Sequence, residues 1–188
     1  MPPGSALSKN ILFGDQMKNA ITPTSVEREM REKDLIFSRT DAKGRITYAN
    51  NIFIEFSGYP QADLIGAQHN IIRHPDMPRA IFKRLWDKIQ NKEECCAYVK
   101  NMSKDGGFYW VYATVTPFYD EQGNLKGYTS WRAKPKVSGL VAAKALYGKM
   151  LEAEKNAGPA NAIEASSKIL NDLLKEKGMS YDEFVVAI

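Results

Sequence analysis

Residues 95–132 read CCAYVKN (95–101), MSKDGG (102–107), FYWVYATVTPFY (108–119), DEQGN (120–124) and LKGYTSWR (125–132). Three runs rich in β-branched and aromatic residues are separated by two polar, glycine-bearing gaps, the pattern of three strands joined by tight turns. Upstream, Leu35 to Thr40 and Arg45 to Ala49 are two further strands flanking the turn Asp41-Ala42-Lys43-Gly44. Helical signals fill the interval between the two groups. Asn50 is an N-cap for a helix with Ile52, Phe53 and Phe56 on one face and Gly58 at its stop, and Pro60 opens a second short helix that ends at Gly66. A longer helix runs from near Pro78 to near Gln90, with Ile81, Phe82, Leu85, Trp86 and Ile89 forming one apolar stripe. This order predicts an α+β fold in which short helices gather on one face of a five-stranded antiparallel sheet. A cavity between helices and sheet is then the natural ligand position.

The chain divides into three parts. Residues 1–33 read as an N-terminal arm with one short helix around Ile11 to Met17, residues 34–134 as the sheet domain, and residues 135–188 as a helical extension. In the extension, Leu140 to Glu154 and Ala160 to Lys177 are helices interrupted at Gly158-Pro159, and Ser180 with Glu183 forms a capping box for a last helix from Tyr181 to Ile188. The stripe Ile163, Ile169, Leu170, Leu173 and Leu174 needs cover, from the sheet domain or from a second copy in a homodimer.

Composition narrows the function classes. The 188 residues carry 26 Lys and Arg against 22 Asp and Glu, a net charge of +4 without a concentrated basic patch, which argues against nucleic acid. No apolar run reaches the length of a membrane span and no secretion signal is present, so a soluble, cytoplasmic protein is expected. Its only cysteines, Cys95 and Cys96, are neighbours on a strand and point to opposite faces, so they make neither a disulfide framework nor a metal clip. Nucleophile–base pairs and glycine-rich phosphate loops are missing, and no enzymatic activity is expected.

Between the short helices and the long one lies HNIIRHPDMP, His69 to Pro78, which holds both histidines of the chain. Pro75 and Pro78 fix their own φ and bias His74 and Met77 away from the helical region, so this is a stiff loop dense in polar groups. Arg73 can fork onto phosphate or carbonyl oxygens, His74 can donate to either, and Asp76 can orient them. Trp86 offers a stacking face and Asn101 an amide at the end of its strand. Asn50 is first a helix cap whose side chain could also face the cavity, and His69 reads as a structural post.

The runs TDAKGRITYANNIFIEFSGY, LIGAQHNIIRHPDMPRAIFKRLW, YVKNMSKDGGFYWVYATVTP and GYTSWR resemble the PAS domain of bacterial aerotaxis receptors over about Asp34 to Lys134. RHPDMP followed by the tryptophan of RLW is narrow to that subgroup, and the arm and tail resemble those of its stand-alone PAS proteins. The resemblance implies a PAS fold, non-covalent FAD, and a sensor of oxygen or electron-transport status that signals through contact with a chemotaxis receptor or kinase component. It associates the residues matching Arg73, His74, Asp76 and Trp86 with the flavin; Asn101 and Asn50 are added here from their chemistry. Two alternatives compete: a haem sensor with His69 or His74 as axial ligand, and a cofactor-free module for interaction or dimerisation. A cysteinyl photoreceptor is disfavoured, because neither cysteine lies in the helical region after SGY.

Overall fold

A computed structural model describes residues 21–188; the expected helix around Ile11 to Met17 lies outside the described residues. Five strands, β1 (Leu35–Asp41), β2 (Ile46–Ala49), β3 (Cys95–Met102), β4 (Phe108–Tyr119) and β5 (Leu125–Ala133), form one antiparallel sheet in the order β2-β1-β5-β4-β3. The three hairpins β1–β2, β3–β4 and β4–β5 are local, and the β1–β5 pairing closes the sheet by bringing the ends of the domain together in unbroken register from Leu35↔Ala133 to Asp41↔Gly127. Helices α1 (Asn51–Ser57), α2 (Gln61–Leu64) and α3 (Arg79–Gln90) fill the crossover, with a 3₁₀ turn at His69–Ile72. The expected fold class is the one observed.

Caps set the helix boundaries. Asn50 Oδ1 accepts the Phe53 N–H at 3.0 Å and the Phe37 N–H at 3.0 Å, while its amide donates to the Leu35 carbonyl at 2.8 Å. One side chain thus starts α1 and ties it to β1. Phe53 and Phe56 on the inner face of α1 are buried, as the apolar spacing requires.

Period-two alternation decides which side chains enter the domain. Ser38 and Thr40 of β1, Val99 and Asn101 of β3, Ala113 and Val115 of β4, and Tyr128, Ser130 and Arg132 of β5 face the helices. Of the aromatics on β4, Tyr109 is fully buried against Phe56, whereas Trp110 and Tyr112 are on the other face against Tyr147 and Tyr98. Cys95 is buried and free; burial pushes its thiol up to about 12, so it behaves as a small core residue.

The extension starts earlier than its sequence suggests. Helix α4 covers Val137–Lys177, beginning three residues before Leu140, and its first turn carries Gly139, which packs so close to the Tyr98 ring that a Cβ there would overlap the hydroxyl. Only Gly158 departs from helical geometry, at φ 72° and ψ 170°, a region reserved for glycine. Helix α5 (Tyr181–Ala187) carries the expected capping box. Met150, Leu170, Leu174, Tyr181 and Phe184 all join the domain core and Ile169 and Leu173 pack partly buried against it, so most of the apolar stripe, Ile163 apart, packs within its own chain. Among the described residues no helix is long and apolar enough to cross a membrane.

Candidate functional site

The helices and the inner sheet face enclose a cavity of about 150 Å³. One wall is the apolar stripe of α3, with Phe82, Leu85, Trp86 and Ile89; the opposite wall is the inner face of β3, β4 and β5, where Ala113 keeps the floor shallow. The segment from Gln68 to Arg73 and the turn at Gly44 form the rim. Trp86 meets Tyr128 edge-on at 5.6 Å, so these two rings pack against each other between the helix and β5.

Polar groups enter this apolar space with part of their capacity unused. The Arg132 guanidinium is 2% exposed, donates from Nη2 to Ser38 Oγ, and lies 4.4 Å from the centre of the Phe53 ring. Among the described residues its Nε and Nη1 have no hydrogen-bond partner, nor do Asn101 Nδ2 and Thr40 Oγ1. Among the described residues no carboxylate lines the cavity. Burial lowers the Arg132 pKa to about 10, so it stays charged at neutral pH. A buried cation and orphaned donors are costly in a dry interior, on the order of 1–3 kcal/mol per unmade hydrogen bond. This donor set fits an acceptor-rich planar ligand.

His69 also reaches the cavity. Its ring stacks on Phe53 at 5.7 Å, and Nε2 is 3.1 Å from the same Ser38 Oγ. Since the guanidinium can only donate, Ser38 accepts from Arg132 and has its own proton for His69 Nε2. Burial, with Arg132 nearby, holds the imidazole down at about 3 and therefore neutral.

The decapeptide splits at Arg73. Arg73 is half-buried at the rim with its guanidinium 3.9 Å above the Phe82 ring, and its backbone bridges to Asn101. Arg73, Trp86 and Asn101 thus converge on the cavity, whereas His74, Asp76 and Asn50 do not line it. His74 is 1% exposed; its Nδ1 accepts the Asp76 N–H at 3.0 Å and its ring meets Phe108 edge-on. Burial, then the Lys100 charge, lowers its pKa, with Asp76 opposing. The Asp76 carboxylate is exposed and pairs with Lys100 Nζ at 2.7 Å, and Asn50 is engaged between β1 and α1. Sequence reading passed over Arg132; the signal available was the alternation Tyr128, Ser130, Arg132, three polar-tipped residues on one face of a strand.

A crossover of short helices over an antiparallel 2-1-5-4-3 sheet, with a cavity beneath the long helix, is the PAS architecture, and residues 46–131 match the family described as PAS fold. The chain is 34% identical over 155 residues to the aerotaxis receptor of Escherichia coli (strain K12), covering 82% of this chain and 28% of the receptor. It is 29% identical over 109 residues to a nitrogen fixation regulatory protein of Klebsiella pneumoniae, covering 58% of this chain and 22% of that one. Among solved structures, the light state of the blue-light photoreceptor Aureochrome1 LOV matches with a TM-score of 0.54 at 20% identity, covering 58% of this chain and 88% of that chain. The chain therefore spans about a quarter of the length of these two sequence relatives.

Proposed function

We propose that this PAS domain binds FAD non-covalently in the cavity and serves as a cytoplasmic redox or oxygen sensor, passing its state to a signalling protein such as a chemotaxis receptor or kinase component. The observation that carries the reading is the buried, charged Arg132, with its nitrogens Nε and Nη1 unpaired among the described residues, at an apolar cavity walled by Trp86. An isoalloxazine ring supplies what such a cavity lacks: a flat apolar body and an edge of carbonyl and ring-nitrogen acceptors. Arg132 and Asn101 would donate to that edge, Trp86 would pack against the ring, and Arg73 at the rim would hold the diphosphate. His74 and Asp76 act from behind, holding the loop through their mutual hydrogen bond and the Asp76–Lys100 pair. When bound, the flavin supplies a reversible electron-accepting couple; the protein's own part is to bind, orient and exclude water. The 34% identity to an aerotaxis receptor and the RHPDMP loop favour this ligand class.

Haem has less support. His74 lies off the cavity, and His69 Nε2 faces Ser38 rather than an open axial position. The absorption spectrum of purified protein, before and after dithionite, tests both readings: oxidised-flavin bands that bleach are expected, and a Soret band would replace FAD by haem. Colourless protein that also fails to take up added FAD overturns the flavin reading and leaves a cofactor-free interaction module.

A further inference from the structure

Helix α3 has one face on the cavity and another on the C-terminal helices, and its start is unusual. Pro78 stands at the N-cap without a side-chain hydrogen bond, and the first turn has no acidic residue. The local sequence leaves the opening N–H groups uncapped. The missing acceptor comes from far along the chain: Glu154 Oε1, in the middle of α4, accepts the Arg79 N–H at 2.7 Å. Glu154 is 9% exposed, and among the described residues no cation pairs with it. A buried carboxylate is therefore held by a helix N-terminus, where the backbone dipoles favour negative charge. Further along α3, the Arg84 guanidinium lies 4.6 Å from the centre of the Tyr181 ring and Lys88 pairs with Asp182. The C-terminal helices thus hold α3 near its beginning, middle and end, while Phe82, Leu85, Trp86 and Ile89 wall the cavity.

We propose that Glu154 is a positioning residue for the cavity: it fixes where α3, and with it Trp86, stands over the ligand, and so couples ligand binding to the seating of α4 and α5. Coupling of this kind is reciprocal. If seated C-terminal helices tighten ligand binding, bound ligand tightens their seating by the same factor. Only the identity of the ligand rests on the flavin reading; the contact between Glu154 and α3 does not.

The test uses the full chain as wild type, Glu154→Ala and Glu154→Gln. Glutamine keeps an acceptor oxygen at the same reach, so it should retain most of the effect, whereas alanine removes the cap. Loss of this cap is expected to weaken FAD binding by about tenfold, the equivalent of a typical N-cap loss, with glutamine restoring most of it and with the bound flavin's visible circular dichroism altered in Glu154→Ala. In wild type, added FAD should slow amide hydrogen exchange in α5 and at 150–157. Equal FAD affinity in all three proteins, or no FAD-dependent protection of the C-terminal helices in wild type, overturns the proposal. The wild-type measurement decides the matter even if Glu154→Ala does not fold. Should wild type take up no FAD at all, the flavin reading falls separately, and ligand-free exchange at the 79–82 amides decides this one: faster in Glu154→Ala and restored in Glu154→Gln supports it, unchanged overturns it.

Discussion

The two halves of the loop His69–Pro78 carry one histidine each, yet they do different work. In the first, His69 and Arg73 turn toward the cavity, His69 onto Ser38 and Phe53 and Arg73 onto Phe82. In the second, His74, Asp76 and Met77 turn toward the sheet: His74 takes the Asp76 N–H, Asp76 pairs with Lys100, and Met77 Sδ accepts the Lys100 N–H at 3.2 Å. The first half lines a site and the second fastens it to β3. A cluster of ionisable residues in a sequence is therefore evidence of a site, but it does not say which members touch a ligand.

Substitutions can break this division. Arg73→Ala should lower FAD affinity by about a hundredfold, since a charge-assisted contact contributes roughly 2–3 kcal/mol, while its contact with Phe82 limits the stability loss of the ligand-free protein to about 1 kcal/mol, read in urea unfolding. Loss of stability with affinity intact would reverse the assignment of the halves. His74→Ala should do the opposite: a stability loss of about 2 kcal/mol from removing a buried, hydrogen-bonded ring, read in urea unfolding of ligand-free protein. A smaller change comes from pH. Both histidines are held below their ordinary pKa, so the folded protein prefers them neutral while the unfolded chain takes up protons below about pH 6.5. The stability they contribute is fully present above that pH and falls as pH drops, by about 1.4 kcal/mol per pH unit for each histidine that stays neutral in the fold. The His69 share continues to about pH 3. Unfolding between pH 6.5 and 5, above the titration range of the lowered carboxylates, isolates this effect, and His69→Gln should flatten the slope. Asp76→Asn is the mildest test: its exposed pair with Lys100 is worth under about 1 kcal/mol, and a larger loss would mean that Asp76 bears on the cavity directly.

The sheet was legible because its signals are local. Alternation and turn glycines placed all five strands within one residue of their observed ends, and the N-cap Asn50 and stop Gly58 bounded α1 in the same way. The site was less legible because it is assembled across the sheet. Arg132 acquires its character only when β5 pairs with β1 and sets it beside Ser38, its direct partner in that register being Ile36. His69 read as a structural post and proved to be both post and lining, since one ring stacks on Phe53 and bonds to the residue that holds Arg132. Asn50 caps α1 as its position after the strand predicts, and the cap, together with the tie to β1, uses its Oδ1 twice and its Nδ2 once. The reach of Glu154 to Arg79 across 75 residues had no local signature at all.

Gly158 gives the extension one further property. In an unbroken helix Met150 and Leu174 would stand about 36 Å apart at 1.5 Å per residue, yet both lie in one core. The turn at Gly158 lets the second half of α4 return to the domain from which the first half leaves. A residue with a Cβ disfavours that backbone geometry. Gly158→Val should therefore favour a straight rod whose far half finds its core on another molecule, giving an exchanged dimer by size-exclusion chromatography with light scattering. On this expectation a single glycine decides whether the chain keeps its tail to itself or trades it with a neighbour.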